Sequence, residues 1–198
     1  DGGGDLSGHV RVYRYINNTW TQLGGDIDGE AELDESSMRI ELNQSGDTVA
    51  IGARMNDGAS GVNSGHVRVY RYINNTWTQL GQDIDGVNAN DLFGWGVSIN
   101  GAGNRVAVSA KGDYNNDNIT TNDGDGATST WTQLGSDIIG ENFGDYSGLY
   151  EGVDINAAGT MVVIGAPGND GAAGAAGHIR VYDYSSNTGW SQVGGDID

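Results

Sequence analysis

The 198-residue chain is expected to fold as an all-β, β-propeller-type array of four-stranded antiparallel units, about three and a half in number. Ser64 to Gly86, SGHVRVYRYINNTWTQLGQDIDG, copies Ser7 to Gly29 and differs only at Gln82 against Gly25; eroded copies follow at Ser129 to Gly140 and Gly177 to Asp198. The equivalent residues Trp20, Trp77, Trp131 and Trp190 are spaced by 57, 54 and 59 positions. That period is too long for ankyrin or leucine-rich repeats and suits β-propeller blades or another stacked β unit. Finally, 35 Gly, one Pro and a mean hydropathy of −0.44 describe short strands and many turns.

The units run as a partial blade at 1–28, a blade at 29–85, a degenerate blade lacking one strand at 86–139 and a blade at 140–198. In the second unit, Ser37 to Leu42 (SMRIEL) alternates apolar and polar residues and predicts a first strand, closed by the Gln44-Ser45-Gly46-Asp47 turn. Thr48 to Ala53 (TVAIGA) is apolar on both faces, as a strand sandwiched between neighbouring blades should be. His66 to Tyr72 (HVRVYRY) is β-branched and aromatic and predicts a third strand, and Thr76 to Leu80 (TWTQL) a fourth. The third unit repeats the first two strands as Gly96 to Ile99 and Arg105 to Ala110 but has no HVRVYRY match, so Asp113 to Thr128 either omits a strand or fills in irregularly. The fourth unit restores the pattern with Gly152 to Asn156, Met161 to Ala166, His178 to Tyr184 and Trp190 to Val193. The partial unit holds only third and fourth strands, so the chain is not expected to close a ring alone.

Phe93-Gly94 at the start of one unit, and Gly165-Ala166-Pro167 after the second strand of another, stand where the FG-GAP repeat carries its two signatures. The chain thus resembles the FG-GAP or integrin-α-type β-propeller, and its SGHVRVY…WTQLG…DIDG pattern is similar to arrays in marine microbial and algal surface proteins. The resemblance implies a propeller of about seven blades, roughly 400 residues at this period. It also implies that the chain is a fragment of a larger propeller or associates with others. Members commonly hold calcium in a DxDxDG loop before the second strand. Here that position reads Asn43-Gln44-Ser45-Gly46-Asp47, Asn100 to Asn104 and Asn156 to Thr160, so the carboxylates are missing and these are expected to be ordinary hairpin turns.

A net charge of −18 with only nine Lys and Arg excludes the basic surface that nucleic acid or an anionic membrane requires; divalent cations suit it better, and solubility in a salty medium is the plainer explanation. With no cysteine, disulfides and thiolate sites are excluded. No apolar run is long enough to span a bilayer, so no membrane insertion is expected. Starting at Asp1 without Met, the sequence reads as a mature or excised piece.

A second acidic loop lies between units. Asp26, Asp28, Glu30 and Asp34 hold positions 1, 3, 5 and 9 of DIDGEAELD; Asp83, Asp85 and Asp91 follow in DIDGVNAND, and Asp137, Glu141 and Asp145 in DIIGENFGD. Alternate carboxylates in a turning loop can converge on Ca2+, whereas solvated acidic turns are the bland alternative. His9, His66 and His178 begin each third strand, with Arg11, Arg68 and Arg180 two positions on, on the same face. Their recurrence favours a packing role over a ligand-facing row. The four repeated tryptophans are either sugar-stacking platforms or inter-blade packing with the indole N–H on a polar partner; Trp95 breaks the repeat. Asn17, Asn43, Asn74 and Asn118 lie in N-x-S/T patterns. Non-repeated Lys111, Tyr114, Tyr146 and Tyr150 form no obvious catalytic constellation. The functional expectation is a non-catalytic extracellular adhesion or scaffold module, not an enzyme, binding protein or glycan partners through its propeller faces. A carbohydrate-binding propeller lectin is the alternative, and a propeller enzyme the remaining one.

Overall fold

The computed structural model describes residues 2–111, 118–124, 130–142, 144–149, 152–169 and 176–198. Among these every regular element is a strand. The partial unit forms β1 (His9–Val10), β2 (Tyr13–Ile16), β3 (Thr19–Gln22) and β4 (Ile27–Asp28), with β1 paired to β4 and β2 to β3. The second unit is β5 (Arg39–Leu42), β6 (Thr48–Ala53), β7 (His66–Ile73) and β8 (Thr76–Gln79), in that spatial order, with β9 (Ile84–Asp85) on the free stretch of β7. The third is β10 (Gly96–Ile99), β11 (Arg105–Ala110), β12 (Asn118–Gly124) and β13 (Trp131–Gln133), with β14 (Ile138–Ile139) on β12; the fourth is β15 (Val153–Ile155), β16 (Met161–Ala166), β17 (His178–Ser185) and β18 (Gly189–Gln192). All these pairings are antiparallel. No pairing among the described residues joins the first sheet to the last, so the sheets form an open array.

The strand expected to be missing from the third unit is present. Asn118–Gly124, NITTNDG, has no likeness to HVRVYRY, yet it pairs with β11 over six positions from Arg105↔Asp123 to Ala110↔Asn118. The edge of β11 would otherwise expose a row of unpaired backbone groups, and that demand is met by any segment of adequate length. The remainder of the Asp113 to Thr128 stretch, Tyr114 and Tyr150 lie outside the described residues.

The core sits between units. Val10, Val12, Leu23 and Ile27 of the partial unit pack on Val49, Ile51 and Trp77 of the second. Val67, Val69 and Ile84 of the second pack on Phe93, Val106, Val108 and Trp131 of the third, and Ala107 and Ile138 of the third on Val162 and Ile164 of the fourth. Each interface repeats one polar contact: the indole N–H of Trp77 donates to the Leu23 carbonyl (2.7 Å), that of Trp131 to Leu80 (2.7 Å) and that of Trp190 to Leu134 (2.8 Å). Burial of Trp77 and Trp131 settles their role as packing, with the polar end of the ring satisfied. Trp20 is 67% exposed and meets no neighbouring unit among the described residues.

The hairpins between first and second strands are closed by asparagine. The Asn43 side-chain carbonyl accepts the amides of Asp47 and Thr48, Asn100 those of Asn104 and Arg105, and Asn156 those of Thr160 and Met161. This staple takes the place that a carboxylate loop would hold. The side chain of Asn43 is buried and engaged, which removes that position as a glycan acceptor.

Two predictions follow from this packing. Asn43→Ala leaves two amides without their acceptor and is expected to cost about 1–3 kcal/mol in urea unfolding, against less than about 0.5 kcal/mol for the neighbouring exposed Gln44→Ala. Gly65 has φ 73°, and a Cβ there would overlap the Phe93 carbonyl oxygen of the next unit; Gly65→Ala is expected to destabilise by about 2 kcal/mol or more.

Candidate functional site

The start of β7 brings together residues from three segments. His66 is 1% exposed, because β6 covers one side of it and β9 pairs on the other, with the register Ala53↔His66 and His66↔Asp85. Its Nδ1 lies 3.8 Å from Glu30 Oε2, which arrives from the loop after β4, and 3.8 Å from Asp83 Oδ2, which stands just before β9. These separations exceed a hydrogen bond, and Nε2 is buried with no partner among the described residues. Gln79 donates to Asp83 Oδ1 at 2.7 Å, which fixes the carboxylate with Oδ2 toward the imidazole. Arg68 Nη1 lies 3.2 Å from Glu30 Oε1, and Arg68 Nη2 donates to the Asp28 carbonyl.

Burial holds His66 well below the usual histidine range, down to about 4; Asp83 opposes the shift and Arg68 adds to it. The imidazole is therefore neutral at pH 7 and keeps a nitrogen lone pair. Burial also raises the Glu30 carboxyl, partly offset by Arg68 and reinforced by Asp83. Asp85 is raised by burial and by Asp83.

The same group recurs in the fourth unit. His178 Nδ1 lies 4.0 Å from Glu141 Oε2 and 3.9 Å from Asp196 Oδ2, Arg180 Nη1 is 3.7 Å from Glu141 Oε1, and Gln192 donates to Asp196 Oδ1 at 2.7 Å. In each group one nitrogen and two carboxylate oxygens lie within 4.8 Å of one another, and each could hold a metal ion. The partial unit departs from this arrangement. Arg11 binds Asp26 through Nε (2.9 Å) and Nη2 (2.7 Å), and hydrogen bonds from Arg11 and then Gln22 draw the Asp26 carboxyl down to about 2. In the third unit Val87 stands where Glu30 would be.

The acidic loops expected to gather around one cation are divided among different tasks. Asp34 is buried and accepts the Ala31 amide and the Asn56 side chain; Asp145 likewise accepts the Asn142 amide and Asn169. Asp91 accepts the Asn88 amide, Asp137 takes the Gln133 side chain, and Asp28 contributes its backbone carbonyl to Arg68. Of the residues singled out in these loops, Glu30, Asp83 and Glu141 enter the two groups. The histidines, read from their recurrence as packing residues, supply the third donor, and Asp196 joins them. The signal lay in the strand pairing that sets the GHVRVY and DID segments side by side. On the innermost strands, Glu41 accepts the Ile99 amide and Ser98 donates to Asp154, so those polar groups tie adjacent units together.

No protein-family model and no curated protein matches the sequence. Solved structures do match. The chain is similar to a protein of Bacteroides fragilis assigned as a 6-phosphogluconolactonase, with TM-score 0.60, 13% identity and coverage of 92% of this chain and 45% of the other. A second, from Bacteroides uniformis and of the same assignment, gives 0.60, 14%, 94% and 48%. The periplasmic gluconolactonase of Pseudomonas aeruginosa gives 0.60, 16%, 96% and 48%. The fold is of the β-propeller type. At such identities the likeness establishes the fold, and the chain spans less than half the length of these proteins. The FG-GAP resemblance is upheld only as far as the propeller itself.

The expectation of a non-catalytic adhesion or scaffold module, and of a chain that is not an enzyme, is corrected here. It rested on the FG-GAP analogy, which no family model supports, whereas three solved structures that share the fold are assigned as lactonases. The lectin alternative needed an exposed aromatic on each blade, and Trp77 and Trp131 are buried.

The His66 environment has a measurable consequence in chelator-treated protein. Below pH 6.5 the unfolded chain binds a proton that folded His66 refuses until about pH 4, so this contribution to stability is complete above 6.5 and is lost as pH falls through that window. Glu30, raised above its usual 4.5, acts in the opposite sense, its contribution being lost as pH rises through its folded value. Melting temperatures between pH 4 and 7 are expected to show a shallower slope for His66→Gln than for the parent. An unchanged slope would place the imidazole in contact with water.

Proposed function

We propose that this chain is the cation-binding part of a β-propeller hydrolase that opens a ring ester of the sugar-acid lactone class outside the cytoplasm. One observation carries the reading: a buried, neutral imidazole faces two carboxylate oxygens at 3.8 Å without hydrogen bonding to either. Three donors so placed are held apart by a distance that a bridging cation fills. One nitrogen and two carboxylate oxygens suit Zn2+ or Mn2+ better than Ca2+, which takes six to eight oxygens. Ca2+ was the ion expected from the acidic loops alone, and the imidazole changes that preference.

His66, Glu30 and Asp83 would hold the cation in the second unit, and His178, Glu141 and Asp196 in the fourth. A bound cation supplies Lewis-acid polarisation of an ester carbonyl and a water of lowered pKa. The chain's own residues fix the ligands: Gln79 orients Asp83, and Arg68 holds Glu30. In the reaction, water oxygen bonds to the carbonyl carbon, the ring C–O bond breaks, and a proton from water ends on the departing ring oxygen, giving the hydroxy acid. The substrate class is supported by the assigned activity of proteins sharing the fold. The location is supported by the periplasmic gluconolactonase among them and by a net charge of −18.

The test is hydrolysis of glucono-1,5-lactone followed by pH-stat in Zn2+, Mn2+, Ca2+ or chelator, with cation binding measured by calorimetry on the same samples. Zn2+- or Mn2+-dependent turnover above the spontaneous rate is expected, falling roughly a hundredfold or more in His66→Ala/His178→Ala. Protein that binds the cation yet leaves the spontaneous rate unchanged would contradict the activity while sparing the cation site.

A further inference from the structure

We infer that the second unit holds a further site for a hard divalent cation, Ca2+ by the nature of its donors, between Asn56, Ser64 and Asp85. None of these three residues belongs to either histidine group, so the site stands apart from the lactone-opening reading. Asp85 ends β9 and, in an extended segment, shares a face with Asp83 two positions before it. Asp83 turns to His66, whereas Asp85 turns to the loop between β6 and β7.

Gly58 opens the space. A Cβ there would stand 2.9 Å from Ser64 Oγ and 3.5 Å from both Asn56 Oδ1 and Asp85 Oδ1, so three oxygens face one point that glycine leaves empty. Ser64 is 0% exposed, and its Oγ has no hydrogen-bond partner among the described residues. A hydroxyl buried in that state calls for a ligand at the point it faces. Asn56 is buried, and its amide nitrogen donates to Asp34 Oδ2 at 2.9 Å, which turns its oxygen toward Gly58. Asp85 is exposed and supplies both a charge and a way in from solvent.

A carboxylate, an amide carbonyl and a hydroxyl form an all-oxygen set, which selects Ca2+ over the nitrogen-seeking Zn2+. Ca2+ holds its oxygens at about 2.3–2.6 Å and completes a shell of six to eight with water, so three donors already turned to one point need only close on it. The charge there is not neutralised by the arginines nearby: Arg54 of the same loop is held by Glu35 at 2.8 Å, and Arg68 of β7 by Glu30 at 3.2 Å. The hydroxyl recurs in the partial unit, where Ser7 is likewise 0% exposed with Oγ unpartnered, and Asp28, the counterpart of Asp85, lies against Gly2. In the fourth unit Ala176 stands at the position of Ser64, which removes that donor. With one formal charge and a partial protein shell, the affinity belongs in the weak range of extracellular modules.

Titration of the chelator-treated 198-residue chain with Ca2+, followed by backbone amide NMR shifts, tests this. The amides of Asn56, Gly58, Ser64 and Asp85 are expected to move on one saturating curve with a Kd on the order of 0.1–1 mM. Sodium chloride at matched ionic strength should leave them in place. His66→Ala/His178→Ala should keep the curve, because neither imidazole is a donor here. Asp85→Asn removes the charged donor, and Gly58→Ala fills the space while leaving all three donors; each is expected to weaken Ca2+ binding roughly tenfold or more. Asp85 is exposed, so its variant should match the parent in circular dichroism. Amides that show no saturable movement, as a buried water alone would give, a curve unchanged in Asp85→Asn or Gly58→Ala, or one lost in the histidine variant would each overturn the inference.

Discussion

The contact between the tryptophan of one unit and the rear of the unit before it is the constraint on which this architecture depends. A four-stranded sheet has two faces, and a propeller unit must bury both. The chain meets this with apolar second and third strands, seen in the complete burial of Thr48–Ala53 and of His66 to Val69. Where a neighbour is missing on one side the pattern alternates, as in Met161–Ala166, whose outward positions Met161 and Val163 are exposed. The indole hydrogen bond adds direction to an otherwise non-directional apolar contact, and it sets each unit's height relative to the next.

The near-identity of Ser7–Gly29 and Ser64–Gly86 separates what the sequence specifies locally from what neighbours impose. The hairpin is local: Tyr13–Ile16 pairs with Thr19–Gln22 in the first copy just as Tyr70 to Ile73 pairs with Thr76–Gln79 in the second. The left-handed Asn17-Asn18 and Asn74-Asn75 pairs turn both. The rest is imposed. HVRVYRYI is one eight-residue strand where β6 lies beside it and two short strands where no such neighbour exists. Arg68 turns to Glu30 in the loop after β4, while Arg11 closes on Asp26.

That division explains how much could be read in advance. Second strands such as Thr48–Ala53 and Arg105–Ala110 were legible because burial on both faces leaves an apolar run, and Met161–Ala166 because it repeats that run. The strand Asn118–Gly124 was not, since its place is set by the open edge of β11 and its residues carry no apolar signature. The candidate site was legible in part. The acidic loops were visible, but linear spacing within DIDGEAELD groups Asp26, Asp28, Glu30 and Asp34, whereas the fold sends Asp34 to cap its own loop, Asp26 to Arg11 and Glu30 to His66 at the start of β7. The donors come together from three separate segments of a unit, which no spacing rule within one segment encodes.

Hydrogen exchange of the backbone amides in the two identical segments tests the central claim, that neighbouring units rather than local sequence confer order. Val10 to Ile16 and Val67 to Ile73 have the same sequence and therefore closely matched intrinsic exchange rates. Amides of Arg68, Tyr70 and Tyr72, which face β6, are expected to exchange orders of magnitude more slowly than those of Arg11, Tyr13 and Tyr15, which have no second-strand partner among the described residues. Equal protection in the two segments would contradict the account.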